Sequence, residues 1–462
     1  MKDMRVLIMQ VFCILSLVAC STNDSSHKKG AVEWPDFPSA PALAESGTAD
    51  PYANETPEQR DARMAWWRYA KFGMFIHWGI YAVPAGTYQD ERIDGIGEWI
   101  MLHGNIPIAE YRSYANEFSA EHYDPEAWAD LARTAGMKYM VITSKHHDGF
   151  ALFPSEVTEW DVVDATPKGE DLIGPLARAA RSRGLKFGLY YSQAQDWTHP
   201  GGSIPTWKKP WDETHEGDMD AYIDSIAVPQ VKEILTRYQP DVLWWDTQIG
   251  MNDERAAKLI ELLRLKPGII HNDRLGGQFK GDTATPEQRI PPTGFKDRDW
   301  EVCMTMNSTW GYKSYDQNWK STGDLIRKLC DIVSKGGNFL LNVGPTKEGI
   351  IPEPSVQRLK EIGAWMDLNG ESIYGTTANP FAKISWGRCT KKTHPMGTTL
   401  YFHVFDWPEA GRLELDGLRS LPASIQLLAN GDSLGYSAYS SQQKVGITIE
   451  VPKEAPTALV PV

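Results

Sequence analysis

Between residues 66 and 374 the chain repeats one pattern, a short apolar run rich in β-branched and aromatic residues followed by a longer amphipathic stretch. The short runs cover 72–78, 139–143, 185–191, 241–245, 268–271, 302–306 and 339–343, and the helix-like stretches include 125–135, 172–183, 223–238, 253–265, 322–335 and 354–369. Strand, helix, strand over some 300 residues requires parallel pairing, and at this length a closed (β/α)8-like barrel of the α/β class accommodates it better than an open sheet. No Gly-x-Gly-x-x-Gly or Walker pattern follows any run, which removes support for a nucleotide fold.

Beyond Tyr374 the pattern changes to short alternating runs at 399–404, 412–415, 424–428 and 446–451, broken by Gly, Pro and Asp. Such spacing predicts a small antiparallel β-sandwich over 380–462, after a barrel domain spanning 51–379. The start of the chain reads differently again. Lys2 and Arg5 precede an apolar run over 11–19, and the Leu17-Val18-Ala19-Cys20 end resembles a bacterial lipoprotein box. That resemblance implies a signal peptide at 1–19, lipidation of the Cys20 thiol, and a polar tether over 20–50. Ser21 in place of Asp favours the outer membrane, so the expected localisation is an exported lipoprotein. The remaining cysteines, Cys303, Cys330 and Cys389, are too scattered for a disulfide framework or a zinc site.

In a parallel barrel the functional side chains gather where the strands end, because the loops there share one face. The candidate ends supply His77, then His146 and His147, then Tyr190 and Tyr191, then Asp246, then Asn272, Asp273 and Arg274. Five successive polar ends are hard to obtain from core packing. The stretch Leu243-Trp244-Trp245-Asp246 is the sharpest of them, since a carboxylate beside two indoles must be paired, hydrogen-bonded or facing a cleft. Alternation turns Trp244 toward Asp246's side and Trp245 into packing.

Eighteen Trp and eighteen Tyr exceed what a core of this size needs, and spare aromatic rings suit the apolar faces of sugars. A net charge of −13 with no basic run argues against nucleic acid as a partner. Cleaving a glycosidic bond takes two carboxylates, and the candidates to accompany Asp246 are Glu287, Glu301 and Glu98. Adjacent histidines on a strand point to opposite sides, and no ligand motif completes a metal site, so neither metal nor cofactor is expected.

The stretches Trp67-Arg68-Tyr69-Ala70-Lys71-Phe72-Gly73-Met74-Phe75-Ile76-His77-Trp78-Gly79, Lys145-His146-His147-Asp148-Gly149-Phe150 and Asn338-Phe339-Leu340-Leu341-Asn342-Val343-Gly344-Pro345 resemble glycoside hydrolase family 29, the α-L-fucosidases. The resemblance implies an exo-acting, retaining enzyme that removes terminal fucose from glycans, with Asp246 as nucleophile. It implies sugar contacts from His77, His146, His147, Tyr191, Trp244 and Arg274, a rim pair in Glu98 and Trp99, and an aromatic wall in Trp310. Where the family usually places Gly after the nucleophile, this chain has Thr247. Glu287, thirteen residues past Arg274 in a Pro-containing loop, matches the acid/base, with Glu301 as the alternative. Expected partners are a fucosylated oligosaccharide or glycoconjugate, and a membrane only through the lipid. Two competing readings are a non-catalytic glycan-binding lipoprotein and a retaining α-L-galactosidase on the same fold.

Overall fold

The computed structural model describes residues 30–40, 47–381, 384–441 and 444–462, so the expected leader and Cys20 lie outside the described residues. Eight parallel strands form its centre: β1 (Phe72–Ile76), β2 (Tyr139–Lys145), β3 (Lys186–Tyr191), β4 (Val242–Trp245), β5 (Ile270–His271), β6 (Thr283–Ala284), β7 (Asp299–Thr305) and β8 (Asn338–Val343). They pair in chain order, and β8 returns to β1 with Phe72 opposite Phe339. A single parallel bridge from Asn272 to Thr283 joins β5 to β6 and closes the barrel, the architecture expected from the alternating pattern.

Period-two alternation sorts the strand residues into an inner and an outer set. Phe75, Tyr139, Val141, Tyr190, Val242, Trp244, Ile270, Cys303 and Leu340 fill the interior. Gly73 belongs to the inner set by parity, and a Cβ there would stand 2.5 Å from the Tyr139 ring, so the glycine makes room for that ring. The interior is thus a packed column, and only its upper end is free to hold a site.

The lower end is closed by helix α1 (Pro57–Ala70). Thr56 and Gln59 form a capping box at its start, with Pro57 in the first turn, where its missing N–H costs nothing. Trp66 and Trp67 join the interior cluster, and Asn338 Nδ2 donates to Trp67 O at 2.8 Å.

Strand β6 was not among the expected runs. Its two residues carry no apolar pattern, and ion pairs hold it in place instead. Asp282, just before it, takes hydrogen bonds from Arg63 Nη1 and Nη2 at 2.8 and 2.7 Å, from Arg60 Nη1 at 2.8 Å and from the His271 N–H at 3.0 Å. Burial would raise the Asp282 pKa, yet Arg63 holds it far below the usual carboxylate range. Removing one partner of a buried pair strands the other charge. Asp282→Ala is therefore expected to cost about 3–5 kcal/mol of unfolding free energy, read from the shift in a urea midpoint. A loss under about 1 kcal/mol would show that β6 does not depend on the pair.

The outer layer includes α2 (Pro125–Thr134), α3 (Ile173–Ser182), α4 (Val228–Tyr238), α5 (Asp253–Ile260), α6 (Thr322–Val333) and α7 (Glu353–Asn369). Asp124, Asn252 and Ser321 cap α2, α5 and α6 through their side-chain oxygens.

After the barrel, β9 (Gly387–His394) pairs with β10 (Gly397–Val404), while β13 (Lys444–Glu450) lies between β11 (Arg412–Leu418) and β12 (Tyr436–Ser441). Val404, Leu413, Leu415, Ile447, Ile449 and Val451 form their shared core. The run expected at 424–428 is a loop with one bridge, Gln426 to Ser433. Thr390 Oγ1 donates to Ser372 O at 2.6 Å and Arg388 pairs with Asp331, fastening β9 to the barrel's helical layer. Trp386 and Trp407 donate their indole N–H groups to Glu414 O and Pro452 O. The cysteines Cys303, Cys330 and Cys389 are free and buried.

Candidate active site

Asp246 follows the last residue of β4 and projects from the inner face one layer above Trp244. It is 8 % exposed, and both carboxylate oxygens are engaged. Oδ1 accepts from Arg274 Nη1 at 2.8 Å and from the Thr247 N–H at 2.9 Å, while Oδ2 accepts from Tyr190 OH at 2.8 Å. Burial pushes its pKa up, but Arg274, His147 and Tyr190 together hold the carboxyl below its ordinary value. Thr247 has φ +45°, a conformation unfavourable for a β-branched side chain. Gln195 Nε2 donates to Thr247 Oγ1 at 2.9 Å and helps keep it there.

Arg274 also donates Nη2 to Glu287 Oε2 at 3.0 Å. One guanidinium therefore spans two carboxylates from the ends of β4 and β6, with no more than its own width and two hydrogen bonds between them. Its carbon lies 4.6 Å from the Trp244 ring centroid. Glu287 is fixed through its backbone, which bridges to Cys303 on β7, while its side chain is 43 % exposed.

His77, His146 and His147 converge beside Asp246. Alternation would have separated His146 from His147, but β2 ends at Lys145 and the two follow in a turn, with ring centroids 4.1 Å apart. Partners fix the proton positions. Asn342 donates its Nδ2 to Trp310 O at 2.8 Å, so its Oδ1 accepts from His77 Nδ1 at 2.7 Å. Ser192 donates to Gln195 O, so its oxygen accepts from His147 Nδ1 at 2.6 Å. Both rings are left with Nε2 as an acceptor. Burial lowers the pKa of His77 and of His147 to about 4, so both are neutral at pH 7. His147 Nε2 stands 3.5 Å from Asp246 Oδ2, and His146 Nδ1 is buried without a partner among the described residues, a group that a bound hydroxyl would satisfy.

Donor atoms of His146, His147 and Asp246 lie within 4.8 Å of one another, a grouping that could hold a cation and that sequence spacing did not suggest. Arg274 already sits on that carboxylate. A second cation there would face a guanidinium 2.8 Å from the shared oxygen, whereas a neutral polyol meets acceptors, a carboxylate and an arginine without that repulsion.

Tyr191 departs from expectation. Its hydroxyl donates outward to Gln230 Oε1 on α4 at 2.8 Å, away from Asp246. The inward tyrosine is Tyr190, opposite Trp244 in the sheet and therefore on the same face; it stacks on Trp244 at 5.7 Å and on His146 at 5.3 Å. The sequence pointed at both residues, and the choice turned on a register of one. Trp244 proves to be the floor of the site, with Nε1 donating to Glu301 Oε1 at 3.2 Å. Glu301 lies beneath that floor, 3 % exposed, with its other oxygen taken by Tyr139 OH.

Glu98 is equally enclosed and ties two loops together by accepting from the Gly311 N–H at 2.8 Å, which fixes Trp310 5.1 Å from His77. Trp99 packs on His147 at 5.5 Å. Burial raises both Glu98 and Glu301 to about 7, so a raised pKa alone would have selected a carboxyl held by the Gly311 N–H or one sealed under the floor. Gln193 was missed altogether. It accepts from the Asp246 N–H at 3.0 Å and donates to Arg274 O at 2.7 Å, joining the loops after β3, β4 and β5, and no motif marks it.

A family model described as Alpha-L-fucosidase matches residues 41–371. Plasma alpha-L-fucosidase of Homo sapiens is 33% identical over 431 residues, 86% of this chain and 88% of the human protein. Among solved structures, the alpha-L-fucosidase of Vibrio sp. strain EJY3 superposes with a TM-score of 0.81 at 33% identity, covering 87% of this chain and 72% of that one. Alpha-L-fucosidase isoenzyme 1 from Paenibacillus thiaminolyticus gives 0.75 at 36% identity, covering 85% and 99%.

Proposed function

The chain belongs to the alpha-L-fucosidase family of glycoside hydrolases, and on that premise we propose that it releases terminal α-L-fucose by double displacement with retention of configuration. Asp246 attacks the anomeric carbon while Glu287 protonates the departing glycosidic oxygen. The fucosyl ester so formed is then opened by a water that gives its proton back to Glu287. The observation that carries this reading is the single Arg274 guanidinium spanning Asp246 and Glu287 at the C-terminal rim of the barrel. Arg274 and Tyr190 keep Asp246 ionised and aimed, and the His77 and His147 acceptors take hydroxyl protons of the sugar. Trp310 supplies an apolar wall for the C5 methyl group.

Retention is tested by following hydrolysis of 4-nitrophenyl α-L-fucoside by proton NMR. The α-anomer of fucose is expected first, with the β-anomer appearing only by mutarotation. Initial release of the β-anomer would end the double-displacement reading.

The buried imidazoles make a further prediction. Protonation would turn their Nε2 acceptors into donors, and burial delays that step to about pH 4 at His77 and His147. Asp246 is already ionised there, so the acid limb of kcat/KM is expected near pH 4 and not near the ordinary imidazole value of about 6.5. A profile on α-L-fucosyl fluoride with its limb at 6–7 would overturn the assignment of neutral rings.

A further inference from the structure

An exo-acting site must leave room for the sugar that departs, and this chain carries an indole beside the mouth that packing does not explain. Trp207 is 65 % exposed, on a segment that the catalytic assignments leave unused. Its ring is nearly parallel to Trp99, at 6.3 Å between centroids and 12°, and to His103, at 6.4 Å and 21°. Trp99 in turn packs on His147, which touches Asp246. One face of Trp207 is thus backed by rings of which Trp99 meets His147 edge-on beside the candidate nucleophile, and its surroundings leave the ring open to solvent.

The segment is not a loose flap. Ser203 Oγ donates to Ile249 O at 2.9 Å, Trp211 Nε1 to Ile106 O at 3.0 Å, and Asp212 Oδ2 accepts from the Ile108 N–H at 2.9 Å. His215 Nε2 donates to Trp197 O at 3.1 Å. These ties preset the indole, so little ordering cost remains when a ring lands on it. The His103 ring abuts Gly95, which lines a cleft of about 470 Å³ together with Ser308, Lys313, Tyr315, Asp316 and Asn318, offering partners for hydroxyl groups.

We propose that Trp207, backed by Trp99 and His103, is the platform on which the pyranose ring next to the departing fucose stacks. A pyranose offers a face of C–H bonds that an exposed indole can take up, while its hydroxyls point sideways toward polar groups. The platform makes Trp207 a determinant of which glycans are cleaved. The inference rests on the fucosidase reading for the identity of the neighbouring ring.

The test compares two substrates on the full chain: α-L-fucosyl fluoride, whose leaving group reaches no platform, and the best-cleaved member of a panel of linkage-defined fucosyl oligosaccharides. In Trp207→Ala the ratio of kcat/KM for the oligosaccharide to that for the fluoride is expected to fall about tenfold, mainly through KM. Trp207→Phe, which keeps an aromatic face, should restore it to within about threefold. A ratio within about twofold of wild type in Trp207→Ala would overturn the proposal. If wild type cleaves neither substrate, the fucosidase reading fails by itself. The platform is then read by quenching of tryptophan fluorescence with lactose: saturable quenching lost in Trp207→Ala supports it, and none in wild type overturns it.

Discussion

Replacing Asp246 with glycine is expected to lower kcat on 4-nitrophenyl α-L-fucoside by about 10⁴-fold or more, the scale of losing a covalent nucleophile. The fold should survive, because Arg274 keeps Glu287 as a partner and the cavity opens toward solvent, not into the core. The decisive readout is rescue. Azide is small enough to enter the space left by the side chain and needs no proton removed. It should restore turnover by attacking the anomeric carbon directly, giving β-L-fucosyl azide, the inverted product. Full activity in the glycine variant, or an azide of α configuration, would remove Asp246 from the nucleophile's place.

The second large effect separates the two steps at Glu287. In Glu287→Ala, cleavage of an oligosaccharide is expected to fall by about 10²–10⁴-fold, since a sugar alkoxide cannot leave unprotonated. An aryl fucoside expels a stable phenolate and needs little acid, so its first step should persist while the fucosyl ester accumulates, visible as a burst of 4-nitrophenol. Azide should then attack the ester and return α-L-fucosyl azide, the retained product and the opposite of the Asp246 result. Glu301→Gln is the control. Glu301 is sealed beneath Trp244, so a burst and a retained azide from that variant, with Glu287→Ala unaffected, would exchange the roles.

The positions of Asp246, Arg274 and His77 were legible because each follows an apolar run, and the end of a barrel strand is where a polar side chain can face the shared rim. Elsewhere the linear pattern ran out for identifiable reasons. Tyr190 and Tyr191 are equivalent in composition, and only pairing with β4 shows that Tyr190 shares the face of Trp244. His146 and His147 were assigned the alternation of a strand that had already ended at Lys145. Strand β6 has two residues and is secured by Arg63 and Asp282, 219 positions apart, a distance no local period can encode. Gln193 works by reaching three loops at once, and its neighbours in sequence give no hint of them.

By itself, then, the sequence determined the alternating architecture, the family, and which strand ends deliver polar side chains to one rim, because side-chain period and apolar run length are local properties that survive in one dimension. The tertiary structure alone decided which of two adjacent side chains turns inward and which carboxyl is sealed under the Trp244 floor. It also decided that one guanidinium lies between Asp246 and Glu287. These depend on register and on contacts between distant segments, and a one-residue shift in register reverses every side chain on a strand.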